Sequence, residues 1–326
     1  MIEKDKEKTA MIIGIPKGLL YARYHVFSKT FFEALGAQTV VSPDTNKQIL
    51  KEGTTLCVDE ACLPVKVFHG HAAWLAPRCD RLFMPRLLSV QQRQLLCPMF
   101  CGLDEMIKNS IEKLPPLIEE PVTSFALPDL FKWALKAARA VCADRKAIKA
   151  AFDKAVSAHR AQEVLTAQRG YTHNVALIGH SYILFDRFVS MNLISKLNAL
   201  GLGIVTAETV PFKCISRQVQ TLFKQPFWFF ARQFYGGAIH LYKKNRIDGI
   251  IYVSAFSCGV DSVVIELIRN AVCDFPMMIL KIDEHTGEAG FDTRIEAFAD
   301  MLGRRPPVDR HIPAHGEYLS GSQSVF

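Results

Sequence analysis

A β-α-β pattern occurs twice in this chain with the same internal spacing, and it limits the fold more than any other feature. In the first copy the apolar run Met11-Ile12-Ile13-Gly14-Ile15 suits a strand. An amphipathic stretch with Phe27, Phe31, Phe32 and Leu35 at helical spacing follows, and Gly36 ends it before Thr39-Val40-Val41. In the second copy Val175-Ala176-Leu177-Ile178-Gly179 is the strand, and a helix is expected through Phe188, Leu193, Ile194 and Leu197. Gly201 precedes the next strand, Ile204-Val205-Thr206. Gly14 to Gly36 is 22 positions, as is Gly179 to Gly201, and Ala34-Leu35-Gly36 recurs as Ala199-Leu200-Gly201 at an offset of 165. A glycine just past a helix suits a left-handed cap, which side chains with a Cβ resist. Short strands alternating with helices imply parallel sheets, so a duplicated α/β lobe is the expected architecture.

The strands expected later in each half also correspond. Arg81-Leu82-Phe83-Met84-Pro85 follows Asp80, and Gly249-Ile250-Ile251-Tyr252-Val253 follows Asp248. At 326 residues there is chain enough for two lobes, each with its own core. The expected division is a tail over 1–10, a first lobe over 11–114, linking segments over 115–170, a second lobe over 171–305 and a tail over 306–326. Pro115-Pro116 through Pro128 reads as loop. The Ala- and Lys-rich stretch from Asp129 to Arg169 reads as one or two long linking helices, with Asp129 as N-cap. A helix from Asp261 to about Cys273, a strand at Met277–Ile282 and a helix around Thr293–Leu302 complete the second lobe.

The net charge of +7 is modest, and no basic run exceeds Lys243-Lys244 with Arg246, which gives no clustered footprint for nucleic acid. The apolar stretches fall short of the ~20 residues of a membrane span, and Met1–Thr9 lacks the apolar core of a signal peptide. The expected setting is the cytoplasm, where thiols stay reduced. Nine cysteines there point to metal, catalysis or simple burial, not to a disulfide framework.

Cys57 and Cys62 flank Val58-Asp59-Glu60-Ala61 after an expected short strand, Cys97 and Cys101 flank Pro98-Met99-Phe100, and Cys258 ends the Ile250–Val253 strand. Ligands of open α/β sheets bind outside the carboxyl ends of the strands, so these loops can face one crevice. Pro64 and Pro98 hold the chain extended past two of the thiols, and Gly259 lets backbone approach a bulky group beside the third. Cys79, Cys142, Cys273 and Cys214 read instead as small buried hydrophobes. Cys57-x4-Cys62 with Cys97-x3-Cys101 allows a closed zinc site, and three cysteines with one open position allow an iron–sulfur cluster; spacing does not choose between them. A structural zinc scaffold and a redox protein therefore both remain open. Glu60, His69, His71, Glu284 and His285 are candidate acid–base groups. The two histidines share a face only if His69-Gly70-His71 is a strand. No phosphate loop and no Gly-x-Gly-x-x-Gly follows any strand, so ATP hydrolysis and conventional dinucleotide binding are not expected.

Ile13-Gly14-Ile15-Pro16-Lys17-Gly18-Leu19-Leu20, Asp59-Glu60-Ala61-Cys62-Leu63-Pro64-Val65-Lys66 with His69-Gly70-His71, and Cys97-Pro98 resemble the acyl-CoA dehydratase activase-related domain. Cys258-Gly259-Val260-Asp261-Ser262 and Ile282-Asp283-Glu284-His285-Thr286-Gly287-Glu288-Ala289-Gly290 with Thr293-Arg294 continue the resemblance, which spans residues 11 to 303. That domain is similar to 2-hydroxyacyl-CoA dehydratase subunits and double-cubane cluster proteins. The resemblance implies Rossmann-like lobes, so the expected fold is α/β: two such lobes with parallel sheets, joined by the long linking helices read above. It implies a cluster, [4Fe-4S] or double-cubane, held by Cys62, Cys97 and Cys258, with Cys101 as a further ligand. In anaerobic metabolism such relatives receive one low-potential electron from an ATP-dependent activase-type partner and dehydrate a 2-hydroxyacyl-CoA through a ketyl radical. An acyl-CoA or other small-molecule substrate, and a homodimer or heterodimer, are the partners so implied.

Overall fold

The computed structural model describes residues 10–91, 94–165, 167–305 and 318–320. Two four-stranded parallel sheets organise it. The first is built from Ile12–Ile15, Gln38–Val41, Arg81–Phe83 and Leu117–Ile118, and the second from His173–Gly179, Leu202–Thr206, Gly249–Ala255 and Met277–Ile282. In both the spatial order is second, first, third, fourth strand. The repeat legible in the glycine spacing is thus a repeat of topology. Gly36 and Gly201 both adopt left-handed backbone, with φ of 88° and 76°, as the cap reading requires.

A second correspondence ties the first and third strands together. The Asp80 amide donates to Ile12 O at 2.9 Å while the Asp80 carboxylate accepts from the Ile12 amide at 2.8 Å. Asp248 does the same to Asn174, at 2.7 Å in each direction. Each aspartate extends its ladder by one side-chain rung and so sets the register of the central strand pair.

Several local expectations change. Leu117–Ile118, inside the proline-broken stretch read as loop, is the edge strand of the first sheet; Pro115-Pro116 precedes it, where a missing amide costs no ladder bond. Helix Leu127–Ala137 starts after Ala126, leaving Asp129 in its first turn, whereas the Asp144 carboxylate caps helix Arg145–Arg160 by accepting from Lys146 and Ala147. The helix expected through Phe188 begins only at Leu193, because Met191 and Asn192 have φ of 51° and 57°. The last two helices span Gly259–Val272 and Glu288–Gly303. What precedes Cys57 is not a strand but helix Lys47–Leu56, capped by Asn46.

The lobes do not keep separate cores. Ile49, Leu63 and Val67 of the first lobe join Leu177, Ile183 and Val253 of the second in one apolar cluster. Phe27, Phe31, Phe152 and Trp133 pack as an aromatic group that fastens the linking helices to helix Tyr21–Ala34. Arg23–Glu208, at 3.1 Å, and the Thr45–Asp186 hydrogen bond also cross between lobes. Of the expected tails over 1–10 and 306–326, residues 1–9, 306–317 and 321–326 lie outside the described residues, while Tyr318–Ser320 pairs antiparallel with Glu163–Leu165. Among the described residues no helix is long and apolar enough to cross a membrane.

Candidate functional site

Cys62, Cys97 and Cys258 occupy equivalent local positions. Each is the residue immediately before a helix: Leu63–Leu75, Pro98–Cys101 and Gly259–Val272. Pro64 and Pro98 sit in the first turns, where helices have no use for an amide donor. A main-chain amide in the turn each one starts, that of Val65, Met99 and Asp261 respectively, favours its thiolate. Helix starts concentrate partial positive charge and free amides, which favours thiolate over thiol.

Tertiary packing brings the three together. All three line one pocket, with Leu19, Pro64, Phe100, Tyr182, Trp228 and Phe230 among its other walls. Burial opposes ionisation there: it pushes the Cys62 thiol up to about 11 and Cys258 up to about 12, and raises Cys97 as well. The neighbouring sulfurs, and Asp261 beside Cys97 and Cys258, add to the shift. These three thiols, protonated at neutral pH and each near a helix-start amide, would have to give up their protons to bind a cation. Two buried polar atoms beside them have no hydrogen-bond partner, His180 Nδ1 and Asp261 Oδ2. Three soft sulfur donors in an apolar, aromatic-walled pocket fit an iron–sulfur cluster.

His180 follows strand His173–Gly179 directly. Gly179, with φ of 153°, lies where a Cβ would come 2.5 Å from Val253 O, so the chain must carry glycine to place His180 against its neighbour strand. The imidazole Nε2 is 3.4 Å from Asp261 Oδ1, and the Tyr252 hydroxyl donates to the same oxygen at 2.9 Å. Burial would raise the Asp261 carboxyl, but His180 and the hydrogen bond from Tyr252 hold it below its ordinary value. Sequence reasoning passed over His180; the signal available was its place at the carboxyl end of a strand, the criterion that singled out Cys258.

Beside the cysteines lies an interlobe cavity of about 500 Å³, lined by Lys17, Tyr21, His25, Thr45, Asp186 and Arg187 among others. Leu19, Pro64 and Tyr182 border both spaces.

The remaining candidates are dispersed. Cys101 is exposed at the far end of the short helix after Cys97 and is not among the residues lining the cysteine pocket. Cys57 is half-buried near Cys62. Cys273, read as buried, is exposed; Cys79, Cys142 and Cys214 are intermediate. His69 and His71 lie on a helix, not a strand, and diverge. His69 Nδ1 donates to Val65 O at 2.8 Å, whereas His71 Nε2 meets the Thr45 hydroxyl at 3.1 Å. Glu284 is ion-paired with Lys66, and His285 and Glu60 are exposed.

Residues 12–210, more than half of the chain, match the family model described as the CoA enzyme activase uncharacterised domain. The chain belongs to that family. Residues 233–302 of this activase-domain chain also match the 2-hydroxyglutaryl-CoA dehydratase D-component. The first match contains Cys62, Cys97 and His180, and the second contains Cys258 with Asp261, so the pocket draws on both. No curated protein matches the chain.

Proposed function

We propose that this chain binds an iron–sulfur cluster, [4Fe-4S] or of the larger double-cubane type, through Cys62, Cys97 and Cys258. On this reading it works in the cytoplasm in low-potential electron transfer or in radical reduction or dehydration, beside an ATP-dependent activase-type partner. The observation that carries the proposal is the convergence of three helix-start cysteines from both lobes on one pocket. The match to a dehydratase component and to an activase-associated domain supports the reaction class and the kind of partner.

When bound, the cluster supplies single electrons at low potential. The protein's part is positional. The Val65, Met99 and Asp261 amides stabilise sulfur charge, and the aromatic walls formed by Tyr182, Trp228 and Phe230 keep bulk water from it. The adjoining cavity is the space we assign to a small-molecule substrate such as an acyl-CoA, with Arg187, beside the Lys17–Asp44 ion pair, at its wall to favour an anionic group. Anaerobic purification with iron, acid-labile sulfide and zinc analysis tests the proposal. A coloured protein with matched iron and sulfide is expected; a colourless protein with stoichiometric zinc and no iron overturns it.

A further inference from the structure

We propose that His180 is a fourth protein ligand to the metal centre of the cysteine pocket, held in place by Asp261. The inference rests on the cluster reading above and adds a ligand to it. Candidate ligand atoms of His180, Cys258 and Asp261 all lie within 4.8 Å of one another, and His180 shares the pocket wall with all three cysteines.

The surroundings of His180 are those of a fixed ligand. The residue is 6% exposed. Its ring stacks on Tyr182 at 4.7 Å between centroids, and Phe230 and Phe234 meet it edge-on at 4.8 and 4.9 Å. Asp261, fully buried, approaches Nε2 and is itself fixed by the Tyr252 hydroxyl. Histidines that bind metal are usually oriented by a carboxylate in this way, which also raises their basicity. A buried imidazole with a polar atom unpartnered is costly unless something else completes its bonding, and Nδ1 is such an atom.

The inference bears on what the centre does. Three cysteines leave one position of a cubane open to substrate, whereas a histidine there closes it and substitutes a neutral nitrogen for a thiolate. Nitrogen ligation lowers the negative charge of a cluster and raises its potential relative to all-cysteine ligation. His180 ligation would therefore favour the electron-transfer branch of the proposed function over direct substrate binding at that position.

The test uses the reconstituted full-length protein. Pulsed electron paramagnetic resonance of the reduced cluster is recorded with natural-abundance histidine and with ¹⁵N-histidine, and then on His180→Gln. A strongly coupled nitrogen that changes with the isotope and disappears in His180→Gln is expected, with a shifted reduction potential in the variant. An intact cluster showing no histidine nitrogen coupling overturns the ligand assignment and leaves the three-cysteine reading standing. A chain that takes up no iron overturns both. Since the labelling experiment needs no substitution, failure of His180→Gln to fold does not blunt it. Asp261→Asn is expected to keep the coupled nitrogen with altered coupling; an Asp261→Asn spectrum identical to wild type would remove Asp261 from the orienting role.

Discussion

Lys66, on the helix that starts at Cys62, is ion-paired with Glu284 in the loop after the last strand of the other lobe. The two are 218 residues apart, and Lys66 also donates to Asp59 O at 2.8 Å. This pair closes the loop bearing Cys57 and Cys62 against the second lobe, so it acts on the position of the candidate ligands as well as on stability.

The pair is asymmetric, and that decides which substitution does more harm. The Lys66 side chain is 3% exposed and that of Glu284 19%. Glu284→Ala leaves a buried ammonium with one carbonyl and is expected to cost about 3 kcal/mol. Lys66→Met leaves a carboxylate that can turn to water and is expected to cost about 1–2 kcal/mol. Urea unfolding of both variants measures the order; equal losses would show that the pair is solvated.

Helices Lys47–Leu56 and Leu63–Leu75 cross at two glycines. A Cβ on Gly70 would lie 1.9 Å from Ile49 O, and one on Gly53 would lie 1.9 Å from Lys66 O. Gly70→Ala therefore forces the helices apart and is expected to lose about 3 kcal/mol despite alanine's better helix propensity. Gly290, in a helix with nothing near its Cβ position, is the control. Gly290→Ala is expected to gain about 0.5–1 kcal/mol. Thermal melts of the two variants should move in opposite directions.

Acid should weaken the fold through His71. Burial, with Lys17 nearby, pushes its imidazole down to about 4, against a weaker upward pull from Asp44. The Thr45 hydroxyl donates to Asp186 and so accepts from His71 Nε2–H, which leaves the buried, unpartnered Nδ1 as the atom that would take up a second proton. The unfolded chain binds this proton near pH 6.5 and the folded chain only near 4. Stability is therefore unaffected well above 6.5, falls as pH drops from 6.5 towards 4, and levels below that, for a loss on the order of 3 kcal/mol. His71→Asn should flatten that part of the profile, read as urea midpoints between pH 4 and 7.

Cysteine variants separate the candidate ligands by iron content. Cys62→Ala, Cys97→Ala and Cys258→Ala are each expected to lose the cluster, while Cys142→Ala keeps it. Cys101 is the sharper case, because it is exposed and outside the pocket lining. Cys101→Ala should retain full iron and sulfide; loss of iron in this variant would mean that the short helix Pro98–Cys101 unwinds to bring a fourth sulfur in.

The residues by themselves determined what depends on neighbours in sequence. Matched glycines at 36 and 201 mark helix ends because left-handed backbone excludes most side chains, and the duplicated lobe follows from them. The three favoured cysteines were legible for a similar reason: each stands in an expected loop beyond a strand, with a proline or glycine just after it, although Pro64 and Pro98, read as holding the chain extended, lie in first helical turns. Distances between loops depend on how two sheets and their helices pack, and no local pattern encodes them. Only the tertiary structure placed Cys62, Cys97 and Cys258 on one pocket, left Cys101 aside, parted His69 from His71, and set His180 and Asp261 beside the sulfurs. His180 lies 118 residues from Cys62 and 78 from Cys258 in sequence. Their meeting depends on shared apolar packing across the lobes and on a glycine at 179 that a side chain could not replace.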